Sequence, residues 1–178
     1  MSETTLKVDQ FTLMLHASES EALEDLNEWS YIAEHVIAEF IRLSSLDKLF
    51  EIKPQENMFP AGYTTGYTLA DTPAYFSIAY HPLQPTMGVI VKFSAQAWTA
   101  YQEYTLKKFN QNIQLHHFLR EIESDLYSSY LSRVDIAIDF FDEDIDIHQL
   151  RTSIEKGRTE LRYGKYRKRN ISSPSTDN

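Results

Sequence analysis

The sequence predicts an α+β fold: an antiparallel sheet of about five strands with helices packed on it, in the order β-α-βββ-αα-β-α. Three observations carry that prediction. Runs of β-branched and aromatic residues at 62–69, 75–80 and 87–93 follow one another with turn residues between, the pattern of an antiparallel meander. Longer stretches with apolar residues spaced by three and four flank that meander, as in amphipathic helices. A further run, 133–140, alternates strictly between apolar and polar, as a strand does.

Taken in order, Leu6–Leu15 reads as the first strand. Its apolar residues alternate imperfectly, which predicts a bend or burial on both faces, and Asp9 inside it reads most simply as an edge or turn residue. Ser18 with Glu21 offers a capping box for a helix running to about Ser45. Leu26, Trp29, Ile32, Val36, Phe40 and Leu43 form its inward stripe. Pro54 and Pro60 punctuate a loop with a short strand at 49–52. Tyr63, Tyr67, Tyr75 and Tyr80 could stack on bases, but at even spacing on strands cross-strand packing is the better reading. Ser94 is placed to cap a helix to Phe109 with Trp98, Tyr101 and Thr105 on one side. A third helix is predicted over 113–127, with Leu115, Phe118, Leu119, Ile122 and Leu126 inward. The alternating strand follows at 130–141. Asp146 then caps a last helix, 147–156, ending at Gly157.

A length of 178 residues suits one domain with a tail, drawn here as 1–157 followed by a basic, then polar, stretch at 158–178. The chain has no cysteine, which excludes disulfides and thiolate metal sites. No apolar run approaches the ~18 residues of a membrane span, and no signal peptide is visible at the N-terminus. A cytoplasmic protein without a membrane partner is the expectation. The net charge of −9 conceals an asymmetry. Residues 156–169 carry Lys156, Arg158, Arg162, Lys165, Arg167, Lys168 and Arg169 against Glu160 alone, a local +6 that leaves −15 on the rest. Such a run is often a solvated terminus. With Tyr163 and Tyr166 interleaved, it also suits contact with phosphates and bases.

The chemistry-bearing stretch is Ser132-Arg133-Val134-Asp135-Ile136-Ala137-Ile138-Asp139-Phe140. Val134, Ile136, Ile138 and Phe140 share one face, expected to seal a core. Arg133, Asp135, Ala137 and Asp139 share the other. Aspartates two positions apart on one face lie roughly 6.5–7 Å apart at Cα, close enough to converge on one divalent cation. Asp is a poor strand former, so two of them within a strand break local propensity where function is expected. The plain alternative is a wet strand face on which Arg133 pairs with Asp135 or a cross-strand neighbour.

Residues 132–139 resemble the Ser/Thr-Arg-hydrophobic-Asp-hydrophobic-Ala-hydrophobic-Asp strand of the replication initiation factor family, the rolling-circle initiators of bacterial plasmids, integrative elements and phages. Val8–Thr12, Phe141–Asp146 and Arg162–Lys165 look similar to that family more loosely. The resemblance implies a DNA-replication initiation protein that binds and nicks origin DNA through a tyrosine, aided by Mg²⁺ or Mn²⁺. It implies Asp135 and Asp139 as metal ligands, with Asp9 as a third. Arg133 would hold a phosphate or fix a carboxylate. The nucleic-acid-binding residues would be Arg133, Arg158, Arg162, Lys165, Arg167, Lys168 and Arg169. The expected partners are origin DNA, single- or double-stranded, and a second copy or the full-length initiator. The family's nucleophilic tyrosine lies in a strand beyond the acidic one, and Asn178 is expected to fall before it, so no catalytic residue is assigned. Tyr163 and Tyr166, the only later tyrosines, show no strand pattern. Two alternatives stand beside this reading: a non-catalytic DNA-binding or regulatory remnant of such an initiator, and an unrelated α+β interaction module.

Overall fold

A computed structural model describes residues 3–18, 26–56, 59, 62–70, 74–141, 146–158, 161–163 and 166–168. The elements are β1 (Glu3–Ala17), α1 (Leu26–Leu43), α2 (Leu46–Leu49), β2 (Ile52–Glu56), β3 (Thr65–Leu69), β4 (Phe76–Tyr80), β5 (Val89–Phe93), α3 (Ala95–Phe109), α4 (Leu115–Glu121), β6 (Tyr127–Phe141), α5 (Ile147–Glu155), β7 (Leu161–Tyr163) and β8 (Tyr166–Lys168). The fold is α+β. Six strands form one sheet in the order β2-β3-β4-β5-β1-β6, and β7 pairs with β8 separately. The chain divides into two compact units, Leu6–Ile138 and a second made of 1–5 with 139–178.

The larger unit is built on the meander. β3, β4 and β5 pair antiparallel in sequence, and β1 returns to lie against β5, with Phe11 opposite Phe93 and Leu15 opposite Val89. Phe76 also faces Phe93, so three phenylalanines from adjacent strands meet on one face. Trp98, Tyr101 and Phe118 close over Phe93, each with its ring edge-on. Edge-to-face packing of this kind adds to the large apolar burial of each ring. Trp29, Val36 and Phe40 of α1 enter the same core. The Ser94 hydroxyl accepts from the Ala97 N–H and caps α3, whose Trp98, Tyr101 and Thr105 are buried as the spacing predicts. Gly66 marks a close approach, since a Cβ there would lie 2.1 Å from the Ile78 carbonyl oxygen of β4. Three of the four strand tyrosines pack as expected, while Tyr75 is exposed with the Lys92 ammonium over its ring. Tyr63 donates to the Met87 carbonyl, Tyr67 donates to Glu34, and Tyr80 meets Trp29 edge-on.

Several predicted elements are corrected. The first helix is seen from Leu26, and its expected Ser18–Glu21 cap reaches outside the described residues. The strand expected at 49–52 lies at Ile52–Glu56 and contains Pro54. That is allowed because β2 is a sheet edge, where the missing N–H faces no partner. The third helix ends at Glu121, and Leu126, expected inward, is exposed, because Tyr127 already begins β6.

The largest correction concerns 133–140. It forms a strand, but on the other edge of the sheet, hydrogen-bonded to β1 alone among the described strands. Its predicted core face is solvent-facing, with Val134, Ile136 and Ile138 exposed at 43%, 58% and 53%. Alternation tells which residues share a face. It does not say whether a helix lies over that face. Tyr127, on the Asp135 side by parity, is buried in the core, whereas Tyr130, on the opposite side, stacks on His16. The apolar residues of β6 therefore follow Tyr130 onto the face opposite the aromatic core.

Candidate functional site

β1 holds β6 through contacts that run in opposite directions along the two strands. Gln10 reaches Asp135, Ser132 reaches the Thr12 carbonyl, and His16 meets Tyr130. The pairing is therefore antiparallel. Val8 and Phe11, three apart, both pack on the same core. Strict alternation would separate them, so it slips once between them. This is the bend expected in the first strand. It is also where the Gln10 amide donates to Asp135 Oδ2 at 2.6 Å.

The polar face of β6 centres on a fork. Arg133 Nε donates to Asp135 Oδ1 at 2.8 Å, and its Nη2 donates to Oδ2 at 2.7 Å. The two residues are two apart on one strand face, which sets their side chains parallel and in reach. The guanidinium, aided by Gln10, holds the Asp135 carboxyl down at about 2. Of the two functions expected for Arg133, fixing a carboxylate is the one formed here.

A divalent cation needs open carboxylate oxygens. Both oxygens of Asp135 are engaged, one by Arg133 and the other by Arg133 and Gln10. Gln10, not Asp9, is the β1 side chain that reaches Asp135. Asp139 lies further along β6, in the smaller compact unit. The residues as they stand fit a guanidinium and not a divalent ion.

The tail residues fall in the smaller unit. Asp146 caps α5 by accepting from the Gln149 N–H, as predicted. Arg158 follows α5 and is exposed. Tyr163 and Tyr166, expected to lie outside strands, are directly paired residues of β7 and β8. Each strand is only three residues long, too short to show a period. The signal available was Gly164-Lys165 between two tyrosines, the composition of a two-residue hairpin loop. Arg162 and Arg167 occupy opposed register positions, and Lys168 pairs with Leu161. Lys165 and Arg169 lie outside the described residues.

The structure adds a basic hollow that sequence reasoning missed. Lys48 and Leu49 of α2 and Tyr104, Lys107 and Lys108 of α3 line a shallow space of about 340 Å³. Lys108 Nζ donates to the Lys48 carbonyl and holds the two elements together. Among the described residues none of these lysines forms an ion pair, whereas Arg42, Arg133 and Arg151 each have one. Tyr104 is half-exposed and meets Phe50 edge-on. Adjacent lysines in the last turn of a helix also answer its dipole. That common pattern, and the 60 residues separating Lys48 from Lys108, hid the cluster in the sequence.

Comparison with protein-family models, with curated proteins and with solved structures finds no match to this chain. Among the described residues no helix is long and apolar enough to cross a membrane.

Proposed function

We propose that this chain binds DNA as a replication-initiator-like protein, through cations concentrated at its C-terminal end and in the α2–α3 hollow. The observation that carries the reading is the uneven placement of charge. On a chain of −9, seven of the seventeen basic residues fall within 156–169. Three more line one hollow beside an exposed tyrosine. Phosphate backbones are held by such clusters, and bases stack on exposed aromatic rings. Arginines at opposed register positions in β7 and β8 support it further, because directly opposed like charges weaken strand pairing unless an anion lies near. The likeness of residues 132–139 to the initiators' acidic strand narrows the proposal from nucleic acid in general to origin DNA.

Nicking is a separate proposal. It would need Arg133 to release Asp135 to a cation, and a tyrosine nucleophile that this chain does not identify. Fluorescence anisotropy with labelled single-stranded and duplex oligonucleotides tests the binding. The full chain should bind, and a chain lacking 157–178 should lose most of its affinity while its thermal midpoint stays nearly unchanged. Full affinity after that deletion, retained in a K107E/K108E variant as well, would remove both surfaces from the account.

A further inference from the structure

Among the described residues β6 offers an unpaired edge and an exposed apolar face together. It is fifteen residues long and ends the sheet on its side. Proteins usually blunt such edges by shortness, proline or charge. The opposite edge, β2, does so with five residues and Pro54. From 134 to 138, β6 instead alternates exposed Val134, Ile136 and Ile138 with Asp135 and Ala137. Unpaired backbone groups beside exposed β-branched side chains form a template for another strand.

We propose that the strand that pairs with it is β6 of a second copy of this chain, antiparallel, with the two-fold axis passing through Ile136. This inference does not rest on the DNA reading. The sequence of the strand is what selects a second copy. A two-fold antiparallel pair sets residue i opposite residue j with i + j constant, and only even constants bring like faces together. An axis at Asp135 opposes that carboxylate to its own copy. An axis at Ala137 opposes Asp135 to Asp139. An axis at Val134 sets Arg133 against Asp135 but leaves Ser132 against Ile136. With the axis at Ile136, Val134 meets Ile138, Ile136 meets itself, and Asp135 meets the small Ala137. Arg133 then stands opposite Asp139, a match of sign that holds whatever else that carboxylate touches. From 133 to 139 every pair is apolar with apolar, charge with opposite charge, or carboxylate with methyl. The one polar–apolar pair, Ser132 with Phe140, falls outside that stretch, whereas the Val134 axis places its mismatch two residues from the centre. Opposed apolar and opposite-charge pairs stabilise antiparallel strands, and like charges oppose pairing.

The cysteine-free chain makes the test direct. Val134→Cys, Ile136→Cys and Ile138→Cys each carry one thiol at an exposed position. A disulfide needs Cα atoms about 4.4–6.8 Å apart. Directly opposed residues lie about 4.5–5.5 Å apart. Four residues of offset place the two copies of residue 134 roughly 13 Å apart. Under mild oxidation I136C should form covalent dimer at least tenfold faster than V134C or I138C. In sedimentation equilibrium the unmodified chain should show a monomer–dimer equilibrium. I136K should shift it to monomer, with a thermal midpoint matching that of the unmodified chain at concentrations low enough to keep that chain monomeric. Fastest crosslinking at V134C, or equal rates at all three positions, overturns the proposed axis. An unmodified chain that stays monomeric at ~500 μM, above the μM-to-pM range of standard-size interfaces, overturns the dimer.

Discussion

The two edges of the sheet contrast sharply. β2 is short, carries Pro54 and ends the sheet quietly. β6 is three times as long, carries the Arg133–Asp135 fork on one face and exposes Val134, Ile136 and Ile138 on the other. Between them β4 and β5 are almost wholly buried, joined by aromatic rings that touch across three strands. Stability is concentrated in the centre, and chemistry that the centre does not use is concentrated on β6. A residue's contribution should therefore depend on its distance from Phe93, and substitutions can measure that gradient.

The largest effect is expected at the hub. Phe93 is 1% exposed and contacts Phe11, Phe76, Trp98, Tyr101 and Phe118. Phe93→Ala should cost about 3–5 kcal/mol in denaturant unfolding, by lost transfer energy plus an unfilled cavity. A cost under about 1 kcal/mol would mean that the core can close around the gap. The next step is Tyr101→Phe, which removes the hydroxyl that donates to the Ser44 carbonyl at 2.8 Å inside the core. The orphaned acceptor should cost about 1–2 kcal/mol. On β6, Ile136→Thr should change stability by less than about 0.5 kcal/mol, as a surface substitution that keeps β-branching. A loss like that at Phe93 would show that the face is covered after all.

The centre was legible in the sequence. The Ser94 cap, the α3 residues Trp98, Tyr101 and Thr105, and the α1 stripe depend on local spacing, and local spacing is written in the chain. The edge was legible only in part. Alternation over 133–140 gave the strand and sorted its faces. Whether β6 lay inside the sheet depended on β1 occupying the place beside β5, a pairing between residues about 80 apart. The same reasoning gave Arg133 and Asp135 a shared face, but not the choice between cation and guanidinium. The Arg133 fork itself makes that choice by taking both carboxylate oxygens, and Gln10 adds a third hydrogen bond from β1.

The fork gives the smallest and most local prediction. A carboxyl depressed in the folded state contributes stability above its unfolded value of 3.8. That contribution is lost as pH falls toward about 2. Carbon-13 titration of the Asp135 carboxyl should give a midpoint near 2, rising toward 3.8 in Arg133→Gln. Gln10→Ala should move it less, since the guanidinium is the larger cause. The same variants sharpen the metal question. Mn²⁺ should broaden signals at Asp135 no more than at other exposed carboxylates in the unmodified chain, and more in Arg133→Gln. Selective broadening in the unmodified chain would show that a cation displaces the arginine.

The functional account turns on whether the clustered cations meet a phosphate backbone, and the salt dependence of DNA affinity measures that most directly. If four to six of them neutralise phosphates, a plot of log affinity against log salt should fall with a slope of roughly −3 to −5. Deleting 157–178 should flatten the slope, and adding K107E/K108E should flatten it further. A slope near zero in the full chain, or the same steep slope without those residues, would contradict the account.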